Sequence, residues 1–258
     1  MVARPMDIIF DSNSQVTLTT LDLGYSHIGR HGAKYLVDAL QNNQTLTTLC
    51  LRYNELEAVG TEYIADLLRN NTTLITLDIG DNRIKSQGAK YLADALRTNK
   101  TLMVLDVKRN SLEDEGVQHL TDVLKINMTL TSLDLRSNRI SIRGAQYVAD
   151  TLRNNTTLNT LYLAFNQIQD SGARHLATAL QDNKTLTRLD LGHNEIRDQG
   201  AQYLGDALKM NTTLTSLSLT SNPIGENGAI YLADALQKNT TLTSLNLEHD
   251  PTKSDVRS

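Results

Sequence analysis

Asp78, Asp106 and Asp134 recur at intervals of 28 residues, and two residues past the corresponding places of their units stand Arg52, Lys108 and Arg136. Stacked carboxylates invite a hard cation or a charged partner. The cation reading is the weaker, because no glycine-turned loop gathers these groups and the nearby cations compete for them. No metal and no cofactor is therefore assigned. The same charges also admit a plainer reading, a self-neutralising ladder of solvated pairs worth about 0–1 kcal/mol each. Tyr162 and Asp190 continue the aspartate column, with Arg188 on its flank. Three residues beyond it runs a second column: Tyr25, Tyr53, Asp81, Arg109, Ser137, Phe165, His193, Ser221 and His249. Exposed Tyr, Phe and Arg dominate interface energetics. Tyr162 and Phe165, flanked by Arg136 and His193, are thus the preferred anchor, with Phe165 either facing a partner or folding inward beside Asn166.

Catalysis finds little footing. His27 and His31 form HIGRH, which lacks the glutamate of a zinc-protease helix and falls on a loop. Cys50, the one cysteine, has no histidine at a suggestive spacing. There is no GxxxxGK[ST] phosphate loop. The expectation is a chain that is not an enzyme.

These columns can align only if the backbone repeats, and it does. From Leu18 to Thr241 the 258-residue chain consists of eight consecutive 28-residue units without insertion or deletion. Such self-similarity marks a solenoid and excludes one ordinary globular core. Within a unit, leucines such as Leu133 and Leu135 alternate as in a strand with one buried face. An Asn follows in nearly every unit (Asn54, Asn82, Asn110, Asn138, Asn166, Asn194, Asn222), suited to satisfy backbone groups where the strand bends. Glycine is invariant at the fifteenth place, from Gly32 to Gly228, where it lets a helix start close against the strand layer and where a side chain would prop neighbouring rungs apart. Apolar residues at helical spacing follow, such as Leu92, Ala95 and Leu96. A second Asn near the end of each unit, Asn43 to Asn239, suits a left-handed helix terminus.

Two further columns read as structural. Tyr35, Tyr63, Tyr91, Tyr147, Tyr203 and Tyr231, with His119 and His175, form a stripe better explained by packing between helices than by a convex binding surface. Every unit closes on an N-glycosylation sequon, yet the turn itself requires the same Asn and Thr.

The pattern LxxLxLxxN-x-[IL]-xxxGA-xx-L-x-x-[AL]-L resembles the ribonuclease-inhibitor-like class of leucine-rich repeats, which includes ribonuclease inhibitor, the sensor domains of NOD-like receptors and Ran GTPase-activating protein. The resemblance covers about nine-tenths of the chain. It implies an α/β horseshoe with parallel strands on the concave face and helices on the convex face. It carries over no family's functional residues, since the class serves inhibitors, sensors and GTPase regulators alike. Were this a GTPase regulator, Arg30, Arg52, Arg83, Arg109 and Arg139 could supply the arginine; a NOD-like sensor fragment is the other alternative. The leading expectation is a non-catalytic module binding a protein partner through Arg52, Tyr53, Asp78, Asp106, Lys108, Arg109, Asp134, Arg136, Tyr162, Phe165, Arg188, Asp190 and His193.

Net charge is -4, which argues against nucleic acid or an anionic membrane as partner. No signal-peptide core or membrane-length apolar run is present, so a cytoplasmic setting is expected. The units at 18–241 are flanked by a partial unit at 1–17, a ninth strand at 242–250 and a polar tail at 251–258. Neither flank reads as a finished cap, which suggests a longer array or self-association through open ends.

Overall fold

The computed structural model describes residues 18–248; His249, the segment 1–17 and the tail 251–258 lie outside them. Nine three-residue strands form one parallel sheet in chain order: β1 Thr20–Asp22, β2 Thr48–Cys50, β3 Thr76–Asp78, β4 Val104–Asp106, β5 Ser132–Asp134, β6 Thr160–Tyr162, β7 Arg188–Asp190, β8 Ser216–Ser218 and β9 Ser244–Asn246. Between them run eight helices: α1 Gly29–Leu40, α2 Glu57–Asn70, α3 Lys85–Leu96, α4 Glu113–Leu124, α5 Ile142–Leu152, α6 Gln169–Asp182, α7 Asp198–Leu208 and α8 Glu226–Lys238. Register is conserved from rung to rung, so Asp78 pairs with Asp106 and Asp106 with Asp134.

The core lies between sheet and helices. In the fifth unit Leu133, Leu135, Ile140, Ala145, Val148 and Leu152 are all buried, and each large side chain removed from water contributes roughly 1.5–3 kcal/mol. Behind the strands stands a ladder of buried asparagines. Asn110 accepts the Asn82 N–H at 2.8 Å and donates to the carbonyls of Ile79 and Val107, each at 3.0 Å. The Asn expected to satisfy the bend therefore does so, and it also bonds the neighbouring unit.

Hydrogen bonding between units continues past the strands. Tyr53 N–H donates to the Gly80 carbonyl at 3.0 Å, and Glu57 N–H to the Asn82 carbonyl at 2.9 Å. This stacking imposes left-handed backbone on ordinary residues, among them Tyr25, Tyr53, Arg109, Phe165 and His193 at φ between 52° and 59°. Each such residue costs about 1–2 kcal/mol, offset by a net ~1 kcal/mol from each bond to the next rung.

One local expectation needs correcting. The Asn at the end of each unit is not left-handed, and at three helix ends it is extended: Asn71, Asn183 and Asn239 have φ of -77°, -67° and -81° with ψ of 132°, 131° and 125°. Its side chain closes the turn instead. Asn99 accepts the N–H groups of Thr101 and Leu102 at 3.1 and 2.8 Å and donates to the Leu68 carbonyl one unit back at 2.8 Å. The repeated glycine behaves as expected, since a side chain there would prop neighbouring rungs apart; its close neighbours are its own helix entry and the preceding helix. A Cβ on Gly60 would meet Leu56 Cβ at 3.0 Å and Arg30 Cα at 3.3 Å. Of the tyrosine stripe, Tyr63, Tyr91 and Tyr203 pack against the core as expected, whereas Tyr35 and Tyr231 are exposed.

Candidate protein-binding face

Each aspartate of the concave column first serves its own backbone. Oδ1 of Asp78, Asp106, Asp134 and Asp190 accepts the N–H two residues on at 2.9, 2.9, 3.0 and 3.0 Å. This bond fixes the bend as the chain leaves the strand, so the aspartates have a structural reason to recur. Their remaining lone pairs meet cations unevenly. Lys108 Nζ pairs with Asp106, and Arg136 Nε donates to both carboxylate oxygens of Asp134 at 3.0 and 2.9 Å. Asp78 and Asp190 have no ion-pair partner within the described residues, nor has Arg188 at the exposed start of β7. The centre of the strip is thus self-neutralised while its flanks retain charge.

Burial, then the neighbouring Asp134 charge, pushes the Asp106 carboxyl above the usual carboxylate range. Burial works against Lys108, but Asp106, Asp78 and Asp134 outweigh it and hold the ammonium above its ordinary value. Hydrogen bonding to Asp134 raises Arg136. Cys50 lies at 3.7 Å from Asp78 Oδ2, and burial pushes its thiol up to about 11. It is a neutral thiol near pH 7 and a poor nucleophile.

Aromatic side chains flank the charges. Phe165 stacks on His193 with ring centroids 4.1 Å apart and an interplanar angle of 12°, and it is 45% exposed. It faces outward, which resolves the alternative of inward folding. Arg136 lies over the Tyr162 ring at 5.1 Å. One arginine thereby links the Asp134 carboxylate to the aromatic cluster. Arg52, expected in the charge strip, instead lies over Tyr25 at 5.0 Å. Tyr25 and Tyr53 stack at 4.9 Å and are 57% and 47% exposed. Arg109 reaches Asp81 at 3.9 Å. The structure thus gathers two aromatic–arginine patches at separate stations of one column. The Tyr25–Tyr53 pair was open to detection, since equal places in adjacent units are about 4.8 Å apart.

A parallel α/β solenoid that displays exposed rings and charges along its strand side, over a wholly structural interior, is a repeat scaffold. The chain belongs to the leucine-rich repeat family: the Leucine Rich repeat model matches residues 14–37, 42–65, 70–93, 98–120, 127–149, 154–177, 182–205 and 211–233. The repeats are of the ribonuclease-inhibitor-like class. Among solved structures, the leucine-rich repeat protein LegL7 from Legionella pneumophila is 17% identical over 93% of this chain and 86% of its own, with a TM-score of 0.57. The tropomodulin C-terminal domain from Caenorhabditis elegans is 14% identical over 58% of this chain and 92% of its own, at 0.50. The leiomodin-1 actin-binding site 2 is 25% identical over 49% and 73%, at 0.43. The likenesses to LegL7 and to the tropomodulin domain show the fold. No curated protein matches the chain.

Proposed function

We propose that the chain is a non-catalytic protein-interaction module whose concave face and adjoining loops grip a protein partner, with Arg136, Tyr162, Phe165 and His193 as the anchor. One observation carries the reading: the exposed ring of Phe165 stacks on the half-buried ring of His193, both on left-handed backbone. A large ring such as Phe165, held outward on strained backbone, lies ready for a partner to cover. The mixed charge around these rings suits a partner surface bearing both signs. A cytoplasmic setting accords with the sequon asparagines, since Asn99, Asn127 and Asn211 are buried and already hydrogen-bonded to backbone.

The test is capture by crosslinking from the native cell, followed by affinity measurement with the recovered protein. Arg136→Ala, Tyr162→Ala and Phe165→Ala together should abolish capture. The convex set Lys90→Ala, Gln146→Ala and Arg174→Ala should leave it intact. Undiminished binding by the first variant would move the site elsewhere.

A further inference from the structure

The loop edge of the solenoid carries a cleft apart from the concave strip. An open space of about 500 Å³ is lined by Arg83, Lys85, Ser86, Ser111, Glu113 and Arg139. Arg83, Lys85 and Ser86 come from the loop and first turn of α3, Ser111 and Glu113 from those of α4, and Arg139 from the loop before α5. Arg83, Lys85, Ser111, Glu113 and Arg139 all have left-handed backbone, with φ of 56°, 57°, 52°, 58° and 60°. They alternate with the buried Asn82, Ile84, Asn110, Leu112, Asn138 and Ile140. The spiral of the loop therefore keeps this set outside while locking the residues between.

Three cations meet one carboxylate in this cleft. Glu113 reaches Arg139 at 3.7 Å, with side chains 65% and 66% exposed, an arrangement that binds the guanidinium weakly. Arg83 and Lys85 have no ion-pair partner among the described residues, and the hydroxyls of Ser86 and Ser111 have no hydrogen-bond partner there. The unit before offers a contrast: Glu55 and Glu57 occupy the places held here by Arg83 and Lys85. The positive charge is local to this cleft in a chain of net charge -4.

We propose that this cleft binds a phosphate monoester dianion carried on a side chain of a protein partner. A dianion with several oxygens balances the surplus charge and uses forked guanidinium donors and hydroxyls together, which a single carboxylate would leave partly unmet. The first-turn N–H groups of α3 favour the same sign. The flanking Glu55, Glu57 and Glu115 repel an extended polyanion or an anionic bilayer, so the site selects one phosphate on an otherwise uncharged segment. The partner's being a protein rests on the interaction reading above, but the site uses none of the concave residues.

The probe is a short glycine-flanked phosphoserine peptide, titrated into the isotope-labelled chain at physiological salt and followed by amide chemical shifts. It should shift the amides of Ser86, Ser111 and their neighbours saturably, while its unphosphorylated twin shifts none. Arg83→Gln with Lys85→Gln should weaken binding about tenfold or more with the rest of the spectrum unchanged. Arg174→Gln should bind normally. The triple concave variant should also bind normally, so that failure of this site and failure of the concave site read separately. Absence of shifts, or an unaffected double variant, would overturn the proposal. Equal binding of inorganic phosphate, or capture by phosphatidylcholine vesicles doped with a phosphoinositide, would overturn the assignment to a protein side chain.

Discussion

Replacing Asn110 by Ala tests whether the asparagine ladder holds the loops of the candidate face in place. The side chain is fully buried and makes five contacts to backbone. Three are donations, to Ile79, Val107 and Lys108 carbonyls at 3.0, 3.0 and 3.1 Å. Each carbonyl has another donor: Asn82 Nδ2 for Ile79 and Asn138 Nδ2 for Val107, both at 3.0 Å, and the Asp81 N–H for Lys108 at 2.9 Å. The other two contacts bring in the N–H groups of Asn82 and Ile84 at 2.8 and 3.4 Å, and neither has another acceptor among the described residues. Both residues are fully buried. Stranding two buried donors at about 1–3 kcal/mol each puts the loss near 4 kcal/mol. Asn110→Asp adds a sharper test. Its carboxylate would retain the acceptor but face three carbonyl oxygens, so the folded state would favour protonation and its pKa would rise. The folded state then binds more protons than the unfolded one, and stability falls as pH rises through the window above the ordinary carboxylate value of about 3.9. Denaturant unfolding across pH, with hydrogen exchange at the Asn82 and Ile84 amides, reads both effects. A loss below about 1 kcal/mol for Asn110→Ala, or a pH-independent Asn110→Asp, would refute the accounting.

Three further outcomes follow from the same geometry. Phe165 has φ of 59°, so Phe165→Gly should be more stable than Phe165→Ala by about 1 kcal/mol in denaturant melts, despite losing the same ring. In Gly200→Ala the new Cβ would meet Asp170 Oδ1 and Ile196 Cγ2 at 2.6 Å and Asp170 Cα at 3.2 Å; overpacking of about 1–3 kcal/mol should exceed the ~1 kcal/mol gained in helix propensity and lower Tm. Burial and Asp134 raise the Asp106 carboxyl, so Asp106 makes stability decline as pH rises from the ordinary carboxylate value towards its own. Asp106→Asn, which keeps an acceptor for the Lys108 N–H, should flatten that decline in a pH series of unfolding midpoints.

What could be read from the residues and what could not divide along physical lines. Leu133, Leu135 and Asn138 were legible because burial and backbone hydrogen bonding impose an aliphatic residue, or Asn, on nearly every rung. The left-handed conformation of Tyr53, Arg109 and Phe165 was not legible. Such backbone normally announces itself through Gly or Asn, and here it is imposed from the next unit, as by the bond from Tyr53 N–H to the Gly80 carbonyl. The same blindness misplaced the end-of-unit Asn: its type fits a left-handed cap, whereas its extended backbone lets the side chain close the turn. The candidate residues were correctly grouped by column, but pairing depends on reach. Lys108 and Arg136 turn to aspartates of their own units, while Arg52, which follows Cys50 rather than an aspartate, turns to Tyr25. The helix starts also rely on neighbours. Asp114 and Asp170 accept N–H groups at the starts of α5 and α7, one unit on, a role visible only once the rungs are stacked.

The central claim is that a protein partner lies against the strand side and its adjoining loops. Placing a photocrosslinking amino acid at Ser137, between Arg109 and Phe165 in the loop column, and separately at Gln146 on the convex face, tests it most directly. Irradiation in the native cell should join one partner to the Ser137 variant and none to the Gln146 variant. A partner joined through Gln146 and not through Ser137 would contradict the account.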